Sequence, residues 1–116
     1  MHKKVEIYLK HIFDECCFLI KYSKNLDLDR FMKDEVLKKA FVRSLEIIGE
    51  AVKKLPLEFK VSHPQIPWKL ISGMRDKLIH EYFGVDYRIV WRTVKEEIPS
   101  LKNEISKILD IKITSE

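Results

Sequence analysis

Apolar residues recur along this chain at helical spacing, and no stretch alternates convincingly as a strand would. Val5, Leu9, Ile12, Cys16 and Leu19 lie three or four apart, which gathers them on one buried helix face. This first helix should fade near Asn25, leaving residues 25–29 as a loop with Asp29 as the N-cap of the next helix. The second stripe is the clearest: Leu37, Phe41, Ser44, Ile48, Ala51 and Leu55, widened by Ala40, Leu45, Ile47 and Val52. A face that broad can bury on two sides, so its helix is central or also contributes to a subunit interface. Pro56 closes it.

Residues 56–67 read as a connection punctuated by Pro56, Pro64 and Pro67. Pro67 suits the first turn of a third helix, where its missing N–H costs nothing. That helix runs through Trp68, Ile71, Arg75, Leu78 and Ile79 to about Tyr82, with Gly84 as its stop. Asp86 can cap a fourth helix carrying Val90, Val94, Ile98, Leu101, Ile105 and Ile108, and Pro99 should kink or break it. Residues from Thr114 to Glu116 should fray. The pattern predicts an all-α fold: one domain over residues 1–116, an up-and-down four-helix bundle with a kinked last helix.

Composition narrows the picture. The chain is 46% hydrophobic, enough for one modest core, and 34% charged, which argues against a membrane protein. The Met1-His2-Lys3-Lys4 start has the look of a signal peptide, but Glu6 and Lys10 break the apolar run one needs, so a cytoplasmic location is expected. A net charge of +4 is compatible with a polyanionic partner without demanding one. Cys16 and Cys17 are adjacent, their Cα atoms about 3.8 Å apart, too close for an unstrained disulfide. With no other cysteine, neither a disulfide framework nor a cysteine metal site is expected.

Candidate chemistry gathers in Arg75-Asp76-Lys77-Leu78-Ile79-His80-Glu81-Tyr82. Arginine brings a permanent cation with a forked donor array suited to phosphate. Histidine is the side chain best matched to proton transfer near neutral pH. Together they suffice to break a phosphodiester bond with a neighbouring 2′-hydroxyl as nucleophile, one moving protons and the other stabilising charge on the non-bridging oxygens. By composition alone, an Arg-x4-His pair is expected roughly 0.17 times per chain, and roughly 0.006 times with a Tyr two positions later. The spacing also constrains geometry. Five residues turn a helix so far that Arg75 and His80 leave it about 140° apart, whereas Arg75 and Tyr82 share a face. Either the helix distorts near Gly84 or the site is composite, formed across a two-fold axis. The plainer reading makes Arg75 an ion-pair partner of Asp76 or Glu81, His80 a charge at a helix C-terminus and Tyr82 a core aromatic.

The segment resembles the Arg-x4-His-x-Tyr signature of HepT-like proteins in the HEPN superfamily. The resemblance extends over nearly the whole chain, through Arg43-Ser44-Leu45-Glu46-Ile47-Ile48-Gly49-Glu50-Ala51, Ile66-Pro67-Trp68-Lys69, the run from Met74 to Asp86, and Val90-Trp91. It implies a helical homodimer that cleaves RNA without a metal or other cofactor, as the toxin of a type VII-like toxin–antitoxin pair. It also implies a minimal nucleotidyltransferase antitoxin that silences the toxin by transferring AMP to Tyr82. Arg75 and His80 would then be catalytic, with Asp76 orienting one of them. An anion placed on Tyr82 would pair with Arg75 and block substrate phosphate. The alternative is a non-catalytic helical dimer that serves as docking partner or substrate of the nucleotidyltransferase.

Other residues invite weaker readings. Lys69, Lys77, Arg88 and Arg92 could form a rim for the RNA backbone, or simply a solvated face. Trp68 and Trp91 read as core or interface anchors, with base stacking as the sharper alternative. His63 reads as a turn residue, and His2 and His11 have no partner pattern. Glu46 and Glu50 read as a solvated or interfacial edge. Gly49 costs a helix about 1 kcal/mol against alanine, so a close helix–helix approach, at a dimer axis for instance, is its expected reason.

Overall fold

The computed structural model describes residues 2–80 and 84–110, and among these the regular structure is entirely helical. The helices are α1 (Lys3–Ser23), α2 (Leu28–Lys33), α3 (Glu35–Lys54), α4 (Leu57–Ser62), α5 (Trp68–His80), α6 (Tyr87–Arg92) and α7 (Ile98–Leu109), with a π-helical segment, Thr93–Glu97, joining α6 to α7.

The stripe in α1 is buried as its spacing requires: Val5, Leu9, Ile12, Cys16 and Leu19 all face the core. The helix ends at Ser23, and Asn25, at φ 63°, turns the chain away in the left-handed region that asparagine tolerates. The loop expected over residues 25–29 is shorter than that. Asp27, not Asp29, is the cap, its carboxylate accepting from the Arg30 backbone N–H at 2.8 Å. It starts a six-residue helix, α2, pinned by Phe31, whose ring lies 5.1 Å from Phe41 and 5.2 Å from Trp91.

Asp34 then caps α3, accepting from Leu37 N–H at 2.9 Å. The broad stripe of α3 explains its place. It packs on α1 along one side and on α5 along another, with Phe41, Ser44, Leu45, Ile48, Gly49, Ala51 and Val52 buried. Residues 56–67 are not purely a connection, since α4 occupies half of them. That helix buries no residue of its own and is held from outside: Trp68 Nε1 donates to Lys60 O at 3.1 Å and His63 O at 3.0 Å.

As expected of Pro99, the last α-helix is interrupted: π-helical turns replace it just before the proline, while the helical run as a whole continues. Ile98 N–H bonds to Thr93 O, five residues back, so the π-helical segment absorbs one residue and Pro99 lands in the first turn of α7. Asp86 caps α6 as the sequence predicts, accepting from Arg88 N–H at 3.0 Å. The expected end of the third helix near Tyr82 and the fraying of Thr114–Glu116 lie outside the described residues.

The all-α fold is as expected, with the short helices α2 and α4 added between the longer ones. The α6–α7 rod packs on α1, while α5 packs on α3 and leaves a groove between itself and α6–α7. No helix among the described residues is long and apolar enough to cross a membrane.

Candidate active site

The candidate site begins at the crossing of α3 and α5, and a missing side chain makes it possible. A Cβ on Gly49 would run into Arg75 Cβ, with Cγ 2.8 Å and Cα 3.4 Å away. Glycine at this point lets α5 approach α3 until the root of the Arg75 side chain occupies the space that a methyl group would fill. The close approach expected of Gly49 is therefore real, but it lies within one chain, between α3 and α5.

From that root the guanidinium reaches two carboxylates. Arg75 Nη1 donates to Asp76 Oδ1 at 3.1 Å, and Nη2 lies 3.5 Å from Glu50 Oε1. Nε is buried and finds no hydrogen-bond partner among the described residues. Asp76 Oδ1 also accepts from Lys53 Nζ on α3, and Glu50 Oε1 lies 4.0 Å from Arg43 Nη1. The hydrogen bond from Lys53, and then that from Arg75, hold the Asp76 carboxyl below the usual carboxylate range. Arg75 is three-quarters buried by this arrangement, its side chain 25% exposed. It is a built-in cation, not a surface side chain sampling solvent.

Arg75 and Asp76 are thus brought together, and the ion pair of the plainer reading exists as well. His80 is not joined to them. It is the last described residue of α5, exposed, and its side chain has no hydrogen bond among the described residues. Because α5 is a regular α-helix from Trp68 to His80, nothing between Arg75 and His80 corrects their divergence of about 140°. Tyr82, the expected modification site, lies outside the described residues.

Lys69, Lys77, Arg88 and Arg92 are all exposed. Arg92 lines the groove beside α5, and Lys77 lines a smaller hollow between α5 and α6. The groove has a volume of about 270 Å³, with an apolar floor that includes Leu45, Ile48, Ile71 and Leu101. Trp68 is buried with its N–H doubly satisfied, which excludes base stacking for it, and Trp91 packs on Phe31. His63 Nδ1 lies 2.9 Å from Phe59 O, and His2 caps α1 by accepting from Lys4 N–H. His11 is exposed. Burial pushes the Cys16 thiol well above its ordinary range, in keeping with a structural role.

Sequence reasoning missed Glu50, Lys53 and Arg43 as members of this network. Glu50 read only as part of a solvated or interfacial edge with Glu46, and Lys53 and Arg43 carried no signal of their own, because the helix that meets them is distant in sequence.

Comparison with known proteins gives a consistent result. A family described as Ribonuclease HepT-like matches residues 12–108. A protein of Caldanaerobacter subterraneus subsp. tengcongensis named "Putative RNase" is 61% identical over 88% of this chain and 91% of its own length. One of Methanocaldococcus jannaschii with the same name is 46% identical over 92% of this chain and 88% of its own. A third, "Probable ribonuclease HepT" of Thermococcus cleftensis, is 44% identical over 93% of this chain and 98% of its own. No solved structure matches the chain significantly. The match spans α3, Gly49, Arg75 and His80 alike, and on that breadth the chain belongs to the HepT-like ribonuclease family.

Proposed function

We propose that this chain is a metal-independent endoribonuclease and the toxin of a toxin–antitoxin pair. The observation that carries the reading is the seating of Arg75, its root in the gap left by Gly49 and its guanidinium set by two carboxylates. Preorganised cations of this kind stabilise charge that develops on phosphate oxygens. His80 takes the proton from the RNA 2′-hydroxyl, whose oxygen attacks phosphorus and forms a cyclic phosphate as the P–O5′ bond breaks. The leaving 5′-oxygen then takes a proton from an imidazolium.

The protein works in the cytoplasm as a homodimer of single helical domains. The regular geometry of α5 supports this, since Arg75 and His80 diverge on one helix and a cleft between two copies would supply both groups from two sides. The groove supports it too. Leu70 on its lip is 75% exposed, Lys69 beside it is basic, and Glu96, Glu97 and Glu104 stand on the opposite wall. A second copy placed there pairs these charges while covering the apolar floor. Of the four basic residues Lys69, Lys77, Arg88 and Arg92, Lys77 and Arg88 lie outside that covered groove and guide the RNA backbone. A minimal nucleotidyltransferase antitoxin silences the toxin by AMP transfer to Tyr82.

The test is cleavage of labelled RNA by the purified protein in excess EDTA, beside His80→Ala and Arg75→Ala prepared identically. Wild type should cut, and each variant should lose cleavage while remaining folded. A folded variant with full activity would overturn the site. One observation favours the second reading, a non-catalytic substrate or docking partner of the nucleotidyltransferase: the Arg75 guanidinium is already engaged by Glu50 and Asp76. If wild type does not cut, and mass spectrometry finds Tyr82 unmodified, that reading replaces the first.

A further inference from the structure

Five charges alternate in sign across the α3–α5 crossing: Arg43, Glu50, Arg75, Asp76 and Lys53. The two carboxylates that hold Arg75 are not equivalent. Asp76 accepts at 3.1 Å and is backed by Lys53 Nζ, whereas Glu50 stands off at 3.5 Å. Charge-assisted hydrogen bonds of full strength are shorter, about 2.7–2.9 Å, so the Glu50 contact is the one a better anion displaces. Arg43, at 4.0 Å and 61% exposed, stands ready on the far side of the Glu50 carboxylate.

We propose that Glu50 is a positioning residue: it holds the Arg75 guanidinium in place until a substrate phosphate takes its position at Nη2, and Arg43 then receives the displaced carboxylate. The proposal rests on the ribonuclease reading. It gives Glu50 two opposed effects, since its charge competes with phosphate for Arg75 while its contact aligns the cation that the reaction uses. The glutamate belongs to α3 and the arginine to α5, so the arrangement depends on the glycine-mediated closeness of the two helices.

The experiment compares Glu50→Gln and Glu50→Asp with wild type in steady-state RNA cleavage, with melting temperatures measured alongside. Glu50→Gln should lower KM several-fold, because the competing charge is gone, and lower kcat roughly tenfold, because the guanidinium loses its alignment. Glu50→Asp, which keeps the charge, should move both values back toward wild type. Unchanged KM with kcat falling only in step with the folded fraction would overturn the proposal, as would unchanged values of both. A second readout does not need cleavage: the NMR signal of the Arg75 Nε–H, identified by its loss in Arg75→Lys. It should shift in wild type when a 2′-O-methyl oligoribonucleotide is added, and should shift in Glu50→Gln without ligand. If wild type cuts no RNA, the ribonuclease reading fails, and an Nε–H signal unmoved by Glu50→Gln overturns the role of Glu50 separately.

Discussion

Asp76 shows what a single residue contributes here. Its carboxylate joins Arg75 on its own helix to Lys53 on α3, and those two cations depress its pKa. A carboxyl whose folded-state pKa is lowered adds stability that is present above the unfolded value and is lost as pH falls through the folded one. The difference in melting temperature between wild type and Asp76→Asn should therefore stay level from about pH 8 to pH 5 and close only below about pH 4. A gap that closes already near pH 6 would show that another group controls the network. The legibility of residues was uneven. Arg75, Asp76 and His80 stand together in one short segment, and sequence alone could single them out. Glu50 and Lys53 could not be recognised, because their significance comes from a helix that their own spacing does not reveal.

At the scale of elements, the governing contact is the crossing of α3 and α5. Gly49 costs α3 helix propensity, about 1 kcal/mol against alanine, and is kept against that cost by what it admits. In Gly49→Ala the new methyl meets Arg75 Cβ, Cγ and Cα, none of them the far end of a flexible side chain. Overpacking of this kind costs about 1–3 kcal/mol, so the propensity gain does not rescue the variant. A lower melting temperature and a displaced Arg75 are expected. A melting temperature equal to wild type would mean that α5 does not approach so closely. The short helices obey a different logic. α2 and α4 are six residues each, too short to show a periodic stripe, and they form because Phe31 and Trp68 anchor them to neighbours.

At the scale of the molecule, the two sides of α5 differ. One side is packed on α3, and beside the other runs an apolar groove walled by α6 and α7. Water on such a floor is costly, and the proposed second copy removes it. Leu70→Glu should then abolish dimers, because it replaces an apolar lip with a charge facing Glu96, Glu97 and Glu104. Sedimentation velocity reads this directly: a monomer with unchanged helical content is expected. A Leu70→Glu protein that stays dimeric would place the pairing face elsewhere.

Sequence by itself determined what depends on near neighbours. The stripes of α1, α3 and the α6–α7 rod could be read because burial repeats every three or four residues in a helix. The Asp86 cap and the placement of Arg75 and His80 on one helix could be read for the same reason. Tertiary structure decided the rest. It decided how the helix accommodates Pro99, through a π-helical segment just before it, where local rules predict only that a kink or break occurs. It set α5 against α3 at Gly49 and left the groove open beside it. It also turned a charged edge of α3 into the partner of Arg75. Those outcomes depend on which helices meet, at what distance and through which side chains, and periodicity along one chain carries no record of that.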